Sequence, residues 1–132
     1  MVRGSAGAVE LLTIVPRGKR LLALPKGGGE DGETGEQTAT REVREETGVT
    51  ATPRSPLGEV TYWYRRNGRA IRKTVRFYLF DYVSGSVEDH DHEVEEARWV
   101  PLEHALTALG YPGEREMAAR AAGLLAQSPP DR

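Results

Sequence analysis

The stretch GGGEDGETGEQTATREVREETGV, residues 27–49, decides the fold and follows directly on a Leu-Pro-Lys sequence. Within it, Thr34 is followed three positions later by Gln37, which is the pattern of a capping box and predicts the start of a helix. Gly48 predicts the end of the same helix, because glycine readily adopts the left-handed conformation that closes many helices. We therefore expect a helix over residues 35–47.

Three carboxylates are expected on one edge of this helix. Glu42, Glu45 and Glu46 have the spacing i, i+3 and i+4, which brings them together on the helix surface. Like charges so placed repel each other by about 0.2–0.5 kcal/mol per pair, and the helix dipole disfavours anions near the C-terminus. A bound cation explains this arrangement better than helix stability does. Mg²⁺ is a suitable cation because it binds carboxylate oxygens. The alternative to a metal site is that the three carboxylates form a solvated acidic face of the helix.

The same stretch fits a longer pattern, Gly-x5-Glu-x7-Arg-Glu-hydrophobic-x-Glu-Glu-x-Gly-hydrophobic, at every fixed position. These positions are Gly27, Glu33, Arg41, Glu42, Val43, Glu45, Glu46, Gly48 and Val49. The pattern resembles the Nudix box, and the chain resembles the Nudix hydrolase family. The resemblance implies an α/β fold, namely an α/β/α sandwich with a mixed curved sheet between helices. It also implies hydrolysis of a nucleoside diphosphate linked to another moiety, with Mg²⁺ or Mn²⁺ as cofactor.

The resemblance also implies roles for individual residues of the box. The implied metal ligands are Glu42, Glu45 and Glu46, together with a carbonyl near Gly27. Glu33 and Arg41 would brace the loop and the helix. The chain departs from the family at Gly29, where an apolar residue usually precedes the acidic residue that corresponds to Glu30. We therefore expect this loop to be more mobile.

Length and composition predict one ordinary globular domain. The 132 residues are 38% hydrophobic and 29% charged, and we expect a single domain over residues 1–127 with a disordered tail, 128–132. A formal net charge of -2 argues against bulk attraction to nucleic acid or anionic membrane. The absence of cysteine excludes disulfides and thiolate catalysis. No signal peptide or apolar span is found, so a cytoplasmic location is expected.

Hydrophobic patterning predicts the remaining elements. We expect strands in residues 5–15, 20–24, 59–66, 69–82 and 97–100, and helices in residues 102–109 and 114–126. Residues 51–57 contain Pro53 and Pro56, so an irregular or edge segment is expected there. Asn67 and Gly68 predict a hairpin with a two-residue type I′ turn.

The predicted hairpin is strongly basic. Six cations and no acid occur from Arg65 to Arg76. Period-2 alternation places Lys73 on one face of the hairpin with Tyr64, and Arg72 on the other face with Arg76. A polyphosphate chain suits such an arm, and an aromatic ring could stack on a base. The predicted substrate-binding residues are Lys26, Tyr64, Arg72, Lys73 and Arg76. The alternative is an edge hairpin kept soluble by its charges.

The general base is expected to be a carboxylate. Family resemblance implies a further glutamate in the acidic loop of residues 84–96, where Glu93 is the first choice and Glu96 the second. Within the box, Glu45 and Glu46 are the other candidate catalytic residues. Two loop histidines, His90 and His92, are interpreted as solvated rather than as metal ligands.

The expected substrate is a small nucleotide, with a dinucleoside polyphosphate as first choice, because a long basic hairpin can hold several phosphates. A nucleoside triphosphatase that acts on damaged nucleotides and an RNA-end pyrophosphatase are alternatives. A non-catalytic nucleotide-binding or RNA-binding module is a further alternative from a different class. Neither DNA nor a membrane is an expected partner, and a homodimer stays open.

Overall fold

A computed structural model of the chain describes residues 2–3, 9–27 and 32–127, with residues 2–3 described by their backbone alone. The strands are β1 (Val2–Arg3), β2 (Glu10–Pro16), β3 (Val49–Arg66), β4 (Arg69–Gly85) and β5 (Val94–Pro101). The helices are α1 (Gly35–Thr47), α2 (Leu102–Ala108) and α3 (Pro112–Gln127), with a short 3-10 helix at Val87–Asp89. The predicted mobile loop at Gly29 and Glu30, part of the first predicted strand and the predicted tail lie outside the described residues.

Within the described residues, five strands form one mixed sheet in the order β3-β4-β1-β2-β5. β1 runs parallel to β4, whereas the other neighbouring strands are antiparallel. β5 pairs along the whole of β2, from Glu10 opposite Pro101 to Pro16 opposite Val94. β1 pairs with β4 only at Asp81. The distal half of the β3–β4 hairpin therefore has no further strand beside it among the described residues.

Helices cover both faces of this sheet. On one face, Val75, Phe77 and Leu79 of β4 pack in a buried cluster with residues of α2 and α3. On the other face, Phe80 of the same strand packs in a second cluster with Val43 of α1. The side chains of β4 thus alternate between two cores, as the pleat of a strand requires. The predicted α/β/α sandwich is confirmed.

Both ends of α1 have the predicted caps. The Thr34 hydroxyl accepts a hydrogen bond from the Gln37 backbone N–H at 3.1 Å, and the Gln37 side chain accepts one from the Thr34 N–H at 2.9 Å. Gly48 has φ of 79°, and its N–H donates to the carbonyl of Arg44 at 2.9 Å. The predicted helix over residues 35–47 is confirmed at both ends.

The hairpin has the predicted turn and register. Asn67 and Gly68 both have positive φ, 52° and 77°, as a type I′ turn requires. Arg66 lies opposite Arg69, and Tyr62 lies opposite Lys73. The strands are longer than predicted, because the segment with Pro53 and Pro56 belongs to β3. This edge strand carries the two prolines beside register shifts, and edge strands and bulges are where a sheet tolerates proline.

The prediction of a strand over residues 20–24 is wrong. The segment makes only isolated bridges, Ile14 with Ala23 and Leu22 with Leu109. The Leu24 N–H donates to the side chain of Glu114 and not to a neighbouring strand. The next residue, Pro25, has no N–H to donate.

Three smaller corrections concern the ends of elements in the C-terminal part. α2 ends one residue earlier than predicted, at Ala108. α3 begins two residues earlier, at Pro112, because proline fits the first turn of a helix. The strand predicted over residues 97–100 begins at Val94. None of these changes moves a candidate site residue onto a different element type, except that Glu96 lies in β5.

The cap of α1 gives a stability prediction. A Cβ at Gly48 would lie 2.5 Å from the Ser86 carbonyl oxygen and 2.6 Å from Cβ of Asp89. We expect Gly48→Ala to lower the free energy of unfolding by about 1–3 kcal/mol, because strain from the left-handed conformation adds to this clash. Urea denaturation measures the change.

Gly123, inside α3, is the matched control. A Cβ there meets no atom within 4 Å, so Gly123→Ala is expected to raise the free energy of unfolding by about 0.5–1 kcal/mol. Equal stability of the Gly48→Ala variant and the wild type would contradict the assigned cap.

Candidate active site

Arg41 joins the loop before α1 to the acidic edge of that helix. Its guanidinium donates to both oxygens of Glu33, from Nε at 2.7 Å and from Nη2 at 3.0 Å. Nη1 donates to Glu42 at 2.5 Å and to Glu45 at 3.1 Å. These carboxylates raise the pKa of Arg41, and the hydrogen bond that Arg41 donates to Glu33 contributes most. Glu33 and Arg41 are thus joined by two hydrogen bonds, and their bracing role stays a prediction.

Glu46 lies at the buried end of the acidic edge. Its Oε1 accepts a hydrogen bond from the backbone N–H of Lys26 at 2.6 Å. Burial raises the pKa of Glu46 to about 8, the Lys26 N–H opposes this shift, and the negative charges of Glu42 and Asp91 add to it. A buried carboxylate near other anions is a site that a cation would stabilise.

Glu42 packs directly against Gly27. A Cβ at Gly27 would lie 1.7 Å from Oε2 of Glu42, so a side chain here would displace the carboxylate from its place beside the backbone. Burial raises the pKa of Glu42, whereas the charges of Arg41 and Lys73 lower it. The first glycine of the box is thus explained by its contact with a candidate ligand.

The donor set fits a hard divalent cation. It consists of carboxylate oxygens beside a glycine backbone, and such ions take oxygen ligands. Burial raises the pKa of two of these carboxylates, Glu42 and Glu46. In residues 9–27 and 32–127, however, no three acidic or histidine side chains converge as a metal site would require. Glu42 and Glu45 share Arg41, so both would have to turn from its guanidinium to join Glu46 around one ion.

Lys26 links this acidic edge to the other face of the sheet. While its backbone N–H contacts Glu46, its ammonium forms an ion pair with Glu114 of α3 at 2.8 Å. The ammonium also lies 5.2 Å from the ring centroid of Tyr62 and 5.1 Å from that of Tyr111, within reach of cation–π attraction. Lys26 therefore has a structural partner in addition to its predicted role as a phosphate ligand.

A cleft of about 520 Å³ opens beside Lys26. Its volume falls within the range of small-molecule sites, roughly 300–1,000 Å³. The lining side chains are aromatic, cationic or small: Lys19, Lys26, Thr61, Tyr62, Trp63, Tyr64, Lys73, Val75 and Tyr111. Cations beside exposed aromatic rings are suited to the phosphates and the base of a nucleotide.

The structure divides the predicted phosphate ligands between two faces of the hairpin. Lys73 lines the cleft, as does Tyr64, which is 44% exposed. By the alternation of a strand, Arg72 and Arg76 lie on the other face of the hairpin from Lys73, and Arg76 contacts Glu59 at 3.4 Å. Of the predicted set, the structure therefore brings Lys26, Tyr64 and Lys73 together at the cleft and leaves the two arginines outside it.

The candidate bases of the acidic loop lie apart from one another. Glu93 is exposed, its N–H donates to Asp91, and its carbonyl accepts from Arg17. Glu96 lies in β5 and contacts Arg98 at 3.2 Å. Asp91 was not among the predicted site residues, but its charge acts on Glu46. The many acidic residues of this loop were the sequence signal for a catalytic carboxylate. Which of them acts on Glu46 depends on the fold and could not be read from the sequence.

A family model of the NUDIX domain matches residues 4–121, which is most of the chain. The chain belongs to the NUDIX family. The family predicted from residues 27–49 is confirmed. Enzymes of this family are pyrophosphohydrolases that act on small nucleotides and generally use divalent cations. Of the helices that the structure describes, none is both long and apolar enough to cross a lipid bilayer.

Two relatives of this NUDIX domain come from mycobacteria. A Mycobacterium tuberculosis protein that carries the name mutator protein MutT4 is 46% identical over 102 residues, 77% of this chain and 41% of that protein. The 8-oxo-(d)GTP phosphatase of Mycolicibacterium smegmatis is 36% identical over 98 residues, 74% of this chain and 29% of that protein. The chain thus spans less than half the length of either relative.

The NUDIX domain also resembles the Ap4A hydrolase of C. elegans, solved as a binary complex. The TM-score is 0.77 at 25% identity, and the alignment covers 96% of this chain and 93% of the nematode chain. The likeness therefore extends over nearly the whole of both NUDIX folds.

The buried carboxylate of Glu46 gives a pH prediction for the metal-free protein. Folded protein keeps the Glu46 proton up to about pH 8, whereas the unfolded chain releases it near 4.5. Between these two pH values, unfolding therefore releases a proton. The free energy of unfolding consequently falls as the pH rises through this range, by at most about 1.4 kcal/mol per pH unit. Glu46→Gln removes the titrating group but keeps an acceptor for the Lys26 N–H, so a flatter profile is expected.

Urea denaturation in chelator from pH 5 to 8 measures both profiles. Glu116→Gln is the control, because the Glu116 side chain is 62% exposed and lies on α3. Parallel profiles for wild type and Glu46→Gln would show that Glu46 does not titrate in this range.

Proposed function

We propose that this domain is a hydrolase that uses Mg²⁺ or Mn²⁺ to cleave the diphosphate linkage of a phosphate-rich nucleotide. One observation carries the proposal: Lys26 touches Glu46 with its backbone and lines the nucleotide-sized cleft with its side chain. An acidic edge and a basic, aromatic cleft thus meet at one residue. The proposal also takes residues 1–127 to form a single domain.

The proposed metal ligands are Glu42, Glu45, Glu46 and the Gly27 carbonyl. A bound divalent cation would neutralise diphosphate oxygens and lower the pKa of water. Arg41 then serves as a counterion for the acidic edge when no cation is bound, because it already contacts two of these carboxylates. On this view, Glu33 keeps Arg41 in place through its paired contacts when the carboxylates turn away.

The reaction needs a proton acceptor. Water adds to a phosphorus atom, the bridging P–O bond breaks, and the proton released from the water passes to a carboxylate. Glu45 is the most exposed of the three box carboxylates, at 47% of its side chain, and is therefore the most accessible of them to water. Glu93 and Glu46 are the other proposed candidates, and Asp91 joins them because its charge acts on Glu46.

A nucleoside triphosphate is the substrate class that the cleft supports best. The preference for dinucleoside polyphosphates assumed that one hairpin could bring many cations to one phosphate chain. Lys73 faces the cleft, whereas Arg72 and Arg76 do not. A short phosphate chain with one base fits this smaller set of cations. The similarity to the mycobacterial 8-oxo-(d)GTP phosphatase supports the same class. The products that we propose for this chain are a nucleoside monophosphate and pyrophosphate.

A dinucleoside polyphosphate is the second candidate. It is favoured by the extensive structural likeness to the nematode Ap4A hydrolase. Trp63, which also lines the cleft, is 68% exposed and offers a ring on which a second base could stack.

A panel of nucleotides tests the proposal. Wild type is expected to convert 8-oxo-dGTP or another nucleoside triphosphate to monophosphate and pyrophosphate in Mg²⁺ or Mn²⁺, with chromatography identifying the products. Glu46→Gln is expected to lower kcat by roughly 100-fold or more, because a metal ligand is lost. Wild-type turnover by this variant would refute the ligand assignment. Faster turnover of tetraphosphate-bridged dinucleotides would reverse the order of substrates.

Two neighbouring hairpin cations form a matched pair for the same assay. Lys73→Met is expected to raise KM by about tenfold, because it removes a charged contact within the cleft. Arg72→Met is expected to raise KM less, since Arg72 lies on the opposite face. Equal effects would contradict the placement of the phosphates in the cleft.

A further inference from the structure

Glu114 of α3 is a fully buried acid. Its relative exposure is 0%, and its carboxylate has three polar partners. Oε1 accepts from the Leu24 backbone N–H at 2.7 Å, and Oε2 accepts from the Tyr62 hydroxyl at 2.6 Å. The Lys26 ammonium completes the set at 2.8 Å from Oε2. A buried charge of this kind is costly unless it is paired and hydrogen-bonded, and here every partner lies at the cleft or in the segment that precedes Gly27.

The contacts of Glu114 fix both the backbone and the side chain of the segment before the box. The bond to Leu24 holds the backbone two residues before Lys26. The ion pair holds the far end of the Lys26 side chain, of which 20% remains exposed at the cleft. An ammonium has three N–H donors; contacts with Glu114 and, at 3.4 Å, with the Leu24 carbonyl leave one of them for a phosphate. The Tyr62 hydroxyl donates to Oε2 of Glu114, the oxygen that also pairs with Lys26, and so restrains Glu114 from the hairpin side.

We propose that Glu114 is a positioning residue, which holds the Lys26 ammonium at the cleft so that it contacts the phosphates of the nucleotide. This inference rests on the proposed function, and it makes α3 part of the substrate site although no atom of Glu114 reaches the solvent. It further implies that the affinity for the phosphate chain depends on the ion pair between Lys26 and Glu114, and not on the charge of Lys26 alone.

Glutamine is the informative substitution at this position. Glu114→Gln keeps an oxygen that can accept from Leu24 but removes the negative charge that holds Lys26. Lys26→Met removes the ammonium and keeps the backbone N–H that contacts Glu46. Tyr62→Phe is a milder variant, because it removes one hydrogen bond to Glu114 and leaves the ring in place. Glu116→Gln, an exposed change on the same helix, is the control.

Steady-state kinetics on a nucleoside triphosphate and calorimetric binding of inorganic tripolyphosphate measure the effects. Glu114→Gln is expected to raise KM and the tripolyphosphate Kd by about tenfold, with kcat changed by less than about threefold. Tyr62→Phe is expected to move both constants in the same direction by a smaller factor. Glu116→Gln is expected to leave them unchanged.

The double variant Glu114→Gln/Lys26→Met decides whether Glu114 acts through Lys26. If it does, the double variant binds no more weakly than Lys26→Met alone, because the two changes disrupt one interaction. Multiplying effects would overturn the inference, as would a Glu114→Gln variant with a lower melting temperature but wild-type KM and Kd. A wild type that binds tripolyphosphate but hydrolyses no nucleotide would refute the proposed function alone, since the binding cycle still tests Glu114.

Discussion

The structure depends on the way in which Lys26 is held at two ends. Its backbone N–H donates to Glu46 on α1, and its ammonium pairs with Glu114 on α3. Because α1 and α3 cover opposite faces of the sheet, this one residue connects both outer layers of the sandwich. A buried carboxylate at each end restrains the residue, and the Leu-Pro-Lys segment passes between them without forming a strand. The acidic edge and the basic cleft are adjacent because of this connection.

Charge compensation explains why the acidic edge is tolerated without a bound cation. Arg41 contacts three carboxylates, two of which belong to the proposed ligands. Such an arrangement is stable in the metal-free protein, yet it leaves Glu46 with a raised pKa and no cationic side chain at hydrogen-bond distance among its described contacts. A divalent cation would therefore act first where compensation is weakest, and it would compete with Arg41 for Glu42 and Glu45.

Local signals predicted the elements that are determined by near neighbours in the chain. The capping box, Gly48 and the Asn67-Gly68 turn act over a few residues, so α1 and the hairpin register could be predicted from sequence. The box pattern named the candidate ligands from Gly27 to Glu46, and the charge and aromatic residues of the hairpin named Tyr64 and Lys73, which line the cleft. Glu114 and Asp91 were missed because their roles depend on partners 90 and 45 residues away in sequence. Nor could alternation show that Lys73 would line the cleft while Arg72 would not, since the pattern separates two faces without saying what each face meets.

The most direct measurement of the central claim is the anomalous diffraction of a crystal soaked in Mn²⁺. The account predicts one or more peaks within bonding distance of Glu46 and of Glu42 or Glu45, with Arg41 released from the carboxylate that binds the ion. It also predicts that Lys26 keeps its contacts with Glu46 and Glu114. A map with no ion at this edge, in which Arg41 retains all three carboxylates, would contradict the account.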